Sequence, residues 1–309
     1  MGGRCARRIH RVDAETAAGR RGGRAVDVIR TVPELAARVA AWREDGERIG
    51  LVPTMGGLHG GHTRLIRAAK ERDEKVVLTL FVNPTQFGPD EDLAGYPRSE
   101  AEDLELARIE FVDLAFVPEA AEMYPPGFST RVQVDYDEDV LCAADRPGHF
   151  DGVAQAVTKL LNLSRADSAY FGEKDWQQLQ IVRKLVRDLN IATRIVGVPT
   201  VREGDGLAMS TRNRTLGAEH RAIAPRLFAE ITRAASRIAQ GEPTELACVE
   251  AAENLIIAGF SDVEYLECRD AERLRIAPSP GHGARVFAAA RLGGARLIDN
   301  VPVPDLLAR

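Results

Sequence analysis

The sequence predicts an α/β fold: a Rossmann-like, doubly wound parallel sheet with a second, smaller α+β C-terminal domain. Three features predict it. Apolar strand patterns alternate with amphipathic helix patterns through short connections up to about residue 200, as right-handed crossovers require. The stretch KVVLTLFVN (75–83) is apolar almost throughout, as a strand covered on both faces should be. Past residue 201 the alternation stops, and helical segments precede a group of strands.

The elements follow in order. AVDVIRT (25–31) reads as a strand, and PELAARVAAWRED (33–45) as a helix opened by proline in its first turn, where a missing N–H costs nothing. RIGLVPT (48–54) is a short apolar strand. In GHTRLIRAAKERD (61–73), Leu65, Ile66 and Ala69 share one helical face. After the strand at 75–83 come a loop rich in Pro, Gly and Asp, a helix near 99–110 and the strand VDLAFVP (112–118). A helix at about 151–165, strand DSAYFG (167–172), helix DWQQLQIVRKLVRDLN (175–190) and strand TRIVGVPT (193–200) complete the first domain, 25–200. Helices at about 217–240 and 244–258, then strands near 262–268, 285–292 and 295–301, form a lid domain, 201–309.

Residues 1–24 carry seven arginines, much glycine and alanine, and no apolar core segment, so they read as a disordered basic tail rather than a secretory signal. The whole chain of 309 residues is 45% hydrophobic and 28% charged, with a net charge of −5. That balance argues against a dedicated nucleic-acid binder. No apolar run approaches the ~18 residues of a membrane span, so neither nucleic acid nor membrane is expected as a partner. Cys5, Cys142, Cys248 and Cys268 are scattered, without a C-x-x-C pair. They suit inert, reduced thiols of a cytoplasmic protein better than disulfides or a zinc site.

In parallel sheets ligands bind beyond the carboxyl ends of strands. Four segments follow strands: PTMGGLHGGH, FVNPTQF, FGEKDWQQ and VREGDGLAMSTRN. The first can be set in the register of a P-loop from Gly56 to Thr63, but His62 then stands where lysine must reach the phosphates. It contains neither G-x-G-x-x-G nor HExxH. An H-x-G-H reading fits: Gly61 and His62 open a helix whose N-terminal N–H groups attract phosphate, and Gly60 and Gly61 admit close backbone approach. His59 and His62 can both donate N–H to phosphate oxygens and stabilise charge on a departing pyrophosphate.

These motifs, with FVNPTQFGPDEDLAGYPR, RPGHFDGV, YFGEKDWQQL and VEYLECRD in order, resemble the pantoate–β-alanine ligase (pantothenate synthetase) family of the nucleotidylyltransferase superfamily, over roughly residues 25 to 301. The resemblance implies a two-step reaction. Pantoate's carboxylate attacks the α-phosphate of Mg-ATP, and the amine of β-alanine then attacks the pantoyl-adenylate. A carboxylate is already ionised at pH 7 and needs no general base.

The resemblance also implies the site. His62, in the acid role, His59 and Lys174 are catalytic. ATP is bound by Met55, Gly56, Gly57, Leu58, His59, Gly60, Gly61 and His62, by Gly172, Glu173, Lys174 and Asp175, by Val201, and by Met209, Ser210, Thr211 and Arg212. Asp175 reads equally as an N-cap of the following helix. REGDG before the AMSTRN loop supplies freedom for closure over ATP, or is a plain surface turn. Gln86 and Gln178 bind pantoate and β-alanine, since amides hold a carboxylate without neutralising it. Asp103 is the matching acidic position for Mg2+, or a solvated helix carboxylate. A homodimer is implied.

Three positions depart from the family pattern. Gly57 replaces alanine and Gly60 an acidic residue, which predicts a looser turn; Thr85 replaces methionine, which predicts an altered pantoate pocket. Two rivals remain at this stage: an adenylyltransferase of the same fold acting on another acceptor, and a silent nucleotide-binding protein.

Overall fold

The computed structural model describes residues 25–88, 99–135, 140–277 and 283–305. The basic tail with Cys5, and the stretch 89–98 that completes the FVNPTQF motif, lie outside the described residues.

Six parallel strands form the first sheet: β1 (Asp27–Ile29), β2 (Ile49–Thr54), β3 (Lys75–Leu80), β4 (Leu114–Phe116), β5 (Ser168–Gly172) and β6 (Arg194–Val198). Their order is β1-β4-β3-β2-β5-β6. From β2 the chain winds outward through β3 and β4, then crosses back to lay β5 on the other side of β2. The reversal leaves a crevice above the carboxyl ends of β2 and β5, where such sheets bind ligands.

Helices cover both faces. On one lie α1 (Val32–Glu44), α6 (His149–Ser164) and α7 (Trp176–Asp188), burying Leu35, Val39, Phe150, Leu161, Leu179 and Val182. On the other lie α2 (Gly60–Lys70) and α3 (Glu100–Ile109), burying Leu65, Ile66 and Ala107 against Val52, Leu78 and Val198. The predicted proline start of α1 is built as a capping box: Thr31 and Glu34 bond each other's backbone N–H, with Pro33 between them. Two short turns, α4 (Ala120–Met123) and α5 (Cys142–Asp145), were not legible in the sequence pattern.

The second sheet is antiparallel, in the order β7 (Asp262–Asp270), β8 (Ala284–Leu292), β9 (Ala295–Pro302). Its apolar face packs on α9 (Arg226–Ala239) and α10 (Thr244–Ala258) through Leu227, Ile231, Ile238, Leu255, Val286 and Leu292. The single helix predicted over 217–240 is instead two, α8 (Ala218–Ile223) and α9, because Pro225 at the junction cannot donate into a helix interior. The two cores meet at Val140, Leu141, Leu274 and Phe287, with Trp176 and Tyr265 against them. Among the described residues no helix is long and apolar enough to cross a membrane.

Candidate active site

The crevice is a cavity of about 930 Å³, with His59, His62, Gln86, Lys174, Gln178 and Arg212 among its lining residues. The end of β2 supplies the histidines. His59 is the N-cap of α2, and its Nδ1 accepts from Gly61 N–H at 3.1 Å. The N–H of His59 in turn donates to Nδ1 of His62 at 3.2 Å. The pair is a capping box written with imidazoles, their ring centroids 4.2 Å apart.

This arrangement fixes the chemistry of both rings. An Nδ1 that accepts a backbone N–H carries no proton, so each neutral ring holds its proton at Nε2. Burial pushes His62 down to about 3, helped by the charges of His59 and Lys174; His59 falls to about 4 through burial, then Lys174 and Arg214, against an opposing pull from Asp175. Both are neutral at pH 7. His62, to which the resemblance gives the acid role, is thus neutral in the unliganded site, with its proton at Nε2. The N–H groups of His59 and Gly61 are engaged by the rings.

The turn before the histidines is held from below. Met55, His59, Gly61 and His62 line the cavity, while Gly56, Gly57 and Leu58 are buried. Asp103 of α3 is 3% exposed, and its carboxylate accepts from Gly57 N–H at 2.9 Å and Leu58 N–H at 2.7 Å. Both oxygens thus accept from backbone, and the carboxylate is buried rather than solvated. Gly57 has φ +64°, and a Cβ there would stand 2.7 Å from Thr211 Cγ2. Far from loosening the turn, this glycine lets the chain pass tightly beneath Thr211. At Gly60 a Cβ would meet Met209 Sδ at 2.7 Å, so the sulfur fills the room that a side chain would need.

The end of β5 carries GEKD as a tight 3-10 turn, Glu173–Asp175, leading into α7. Lys174 and Asp175 line the cavity; Glu173 does not. Asp175 occupies the N-cap position of α7, but its side chain makes no capping bond. The neighbouring amides Gln177 and Gln178 divide their duties. Gln177 is buried, accepting from Cys142 N–H and donating to Val140 C=O, whereas Gln178 faces the cavity.

In the 201–212 segment, Val201, Met209, Ser210, Thr211 and Arg212 all line the cavity. Val201 C=O accepts from Met209 N–H at 2.9 Å, closing the hairpin. The Ser210 hydroxyl accepts from Arg212 N–H, and Thr211 Oγ1 donates to Gly57 C=O. Thr211 is buried and ties this loop to the H-x-G-H turn; it is not a free donor for phosphate. Arg214, which sequence reading missed, donates to Leu58 C=O at 3.1 Å. The R-x-R spacing of STRNR was its only signal.

Gln86 also faces the cavity, with Nε2 2.9 Å from Met55 Sδ. Buried Asn83 positions it, donating to Gln86 Oε1 and Gly152 C=O while accepting from Tyr124 OH. His149 of RPGHFDGV, given no role in the sequence, donates from Nδ1 to Gln86 C=O at 2.7 Å and so carries the opposite tautomer to the H-x-G-H pair. Thr85 is exposed, bonds Asn83 and does not line the cavity, so its departure from methionine falls outside the pocket where it was expected.

Comparisons with known proteins bear on this geometry. The profile of a family described as Pantoate-beta-alanine ligase matches residues 27–302. A pantothenate synthetase of Dinoroseobacter shibae is 55% identical over 278 residues, 90% of this chain and 99% of its own. A crystal structure of pantothenate synthetase from Thermus thermophilus superposes with a TM-score of 0.85 at 43% identity, covering 90% of this chain and 99% of its own. One of a pantoate-beta-alanine ligase from Francisella tularensis, complexed with beta-gamma ATP and beta-alanine, gives 0.76 at 30% identity, over 90% of this chain and 98% of its own.

Proposed function

The chain belongs to the pantoate–β-alanine ligase family, and from that premise we propose how its cavity performs the reaction. The enzyme condenses pantoate with β-alanine at the expense of ATP, giving pantothenate, AMP and pyrophosphate through a pantoyl-adenylate. The observation that carries the residue assignment is the imidazole pair. Two Nε2–H donors of fixed tautomer stand at a helix mouth in the same cavity as Lys174, Arg212 and two cavity-facing glutamines.

In the first step an oxygen of the pantoate carboxylate bonds to the α-phosphorus, and the bond to the bridging oxygen of pyrophosphate breaks. Gln86 and Gln178 hold pantoate with amide groups, leaving its charge available for attack. His59 and His62 donate to the oxygens on which charge gathers, as neutral electrophiles rather than proton donors. Lys174 and Arg212 place positive charge on the triphosphate. Ser210 and the backbone of Val201 complete the nucleotide site. In the second step the neutral amine of β-alanine bonds to the acyl carbon, AMP departs with the bonding pair, and the amine's proton goes to solvent. Positioning and electrostatics supply the rate.

Mg2+ enters as Mg-ATP. Since Asp103 is buried and both its oxygens accept from backbone N–H groups, the ion would be held chiefly by phosphates and water, as is usual with nucleotides. A cytoplasmic location agrees with the free thiols of Cys142, Cys248 and Cys268. Residues 201–309 act as the lid, and the enzyme works as a homodimer. Light scattering at micromolar concentration should give twice the chain mass of 33.7 kDa, and the chain mass alone would oppose the dimer.

One assay tests the function. ATP with pantoate should release pyrophosphate in a burst of one equivalent per site, and AMP with pantothenate should accumulate only when β-alanine is added. Pyrophosphate released with other acids but not with pantoate would contradict it.

A further inference from the structure

Two consecutive residues of β9, Asp299 and Asn300, are buried polar groups 4% and 3% exposed, far in sequence from every motif above. Asn300 Nδ2 donates to Glu173 C=O at 3.0 Å and to Lys174 C=O at 2.9 Å. Its Oδ1 accepts from Arg285 Nε at 2.9 Å and from Arg285 Nη2 as well. That guanidinium lies 3.8 Å over the Trp176 ring, at the start of α7. The amide is saturated, and its orientation follows: turned over, it would set oxygen against two carbonyls and N–H against a cation. Asp299 takes the other segment. Its carboxylate pairs bidentately with Arg202, at 2.6 and 3.0 Å. Arg202 also donates to Gly206 C=O and stacks 3.7 Å over Phe228.

We propose that Asp299 and Asn300 are positioning residues for adenylation: from the second sheet, they hold the two segments that carry the phosphate-side cations. Asn300 fixes the 3-10 turn from which the Lys174 side chain springs. Asp299 fixes the hairpin that begins at Arg202 and ends in Ser210 and Arg212. The inference rests on the nucleotide reading of Lys174 and the 201–212 segment. Mere adhesion between the two sheets is already supplied by the apolar contact of Leu141, Leu274 and Phe287. Buried polar groups adhere poorly for their desolvation cost, but they fix backbone position closely. The second sheet is thereby part of the phosphate site, not only a cover for it.

The test uses the full-length enzyme with Asn300→Asp, Asn300→Ser and, as a control on the site itself, Lys174→Ala. Asn300→Asp keeps the acceptor for Arg285 and loses both donations to the 173 and 174 carbonyls; Asn300→Ser weakens them without adding charge. Both should slow pyrophosphate release at saturating ATP and pantoate by roughly 10- to 100-fold, as when a partner that orients a functional group is removed. Aminolysis of supplied pantoyl-adenylate should stay within about twofold, and the melting temperature should fall far less than activity. A purely structural role would lower both steps and the melting temperature together, and that result overturns the proposal. So does slowing by Asn300→Asp alone, which would be a charge effect. Slow adenylation in Lys174→Ala with normal rates in both Asn300 variants overturns the proposal and leaves the site reading standing. Normal adenylation in Lys174→Ala removes the reading on which the proposal rests. Should Asn300→Asp not fold, Asp299→Asn, which neutralises the partner of Arg202, should show the same selectivity for the first step. Equal loss in both steps there would count against the proposal in the same way.

Discussion

The two sides of the cavity are held in place by different means. The histidine pair is held locally: His59 and His62 are oriented by N–H groups within four residues of chain, while the turn before them is held by Asp103 and also by Thr211 and Arg214 of the 201–309 segment. The cation side is remote. The carbonyls at 173 and 174, and the guanidinium of Arg202, are held by residues about a hundred positions away in β9. Local bonds fix the tautomer of each ring, and burial first, then neighbouring charges that include Lys174, holds both rings neutral. Remote bonds tie the backbone at 173 and 174 and the hairpin at Arg202 to that sheet, so its position and theirs are linked.

The largest expected effect is at Gln178, which faces the cavity from α7. Gln178→Glu is nearly isosteric, so packing and ATP affinity should persist. Two like charges ~4 Å apart repel by about 4 kcal/mol at an effective dielectric near 20. Pantoate affinity should therefore drop by roughly three orders of magnitude, recovering in part as pH falls and the new carboxyl protonates. Calorimetric titration with pantoate and with ATP reads this directly, and unchanged pantoate binding would move the acid pocket away from Gln178.

On the local side, His62→Ala removes a donor aimed at charge that appears only in the transition state. The rate of adenylation should fall roughly 10²–10³-fold with little change in the KM for ATP. Single-turnover release of pyrophosphate separates the two parameters. A change in KM alone would make His62 a ground-state binder.

A smaller effect tests the floor of the turn. Asp103→Asn leaves one oxygen for two buried N–H donors, a cost of about 1–3 kcal/mol. The melting temperature should drop by several degrees, while the Mg2+ concentration for half-maximal activity stays unchanged. Normal stability with a raised Mg2+ requirement would return Asp103 to the metal.

This contrast also explains how much could be read from the sequence. Strand and helix periods placed the parallel sheet, the three antiparallel strands and the ends of most helices, because each depends on a few neighbouring residues. H-x-G-H after β2 and GEKD after β5 pointed to the crevice for the same reason. What escaped was long-range. That Asp103 is a buried acceptor for Gly57 and Leu58 rather than a solvated helix carboxylate is visible only in three dimensions. Thr211 looked like a phosphate donor until Gly57 C=O was seen to occupy its hydroxyl. Asp299 and Asn300 sit in an ordinary strand pattern, and nothing near them in sequence marks their partners. Gly57 seemed a loss of stiffness because its positive φ and the methyl of Thr211 are visible only in three dimensions.

The smallest predicted effect is on stability against pH. In the unfolded chain both histidines bind a proton below about 6.5, whereas in the fold they stay neutral down to about 4 for His59 and about 3 for His62. The unfolded state therefore binds more protons as pH falls. The contribution is fully present above pH 6.5 and declines steadily below it. At pH 5.5 the loss should be about 1 kcal/mol per histidine. Denaturant melts of the wild type and His62→Gln at pH 7 and 5.5 should show a shallower pH dependence in the variant. Equal slopes would contradict the burial of the neutral ring.

Nitrogen-detected NMR of the imidazole rings tests the neutral, Nε2-protonated state of His59 and His62 most directly. With 15N-labelled histidine and assignment by single variants, both rings should show Nε2–H and an unprotonated Nδ1, unchanged from pH 8 to about 5. His149 should show Nδ1–H in the same spectrum. A His62 ring that titrates near 6.5, or that carries its proton on Nδ1, would contradict the claim.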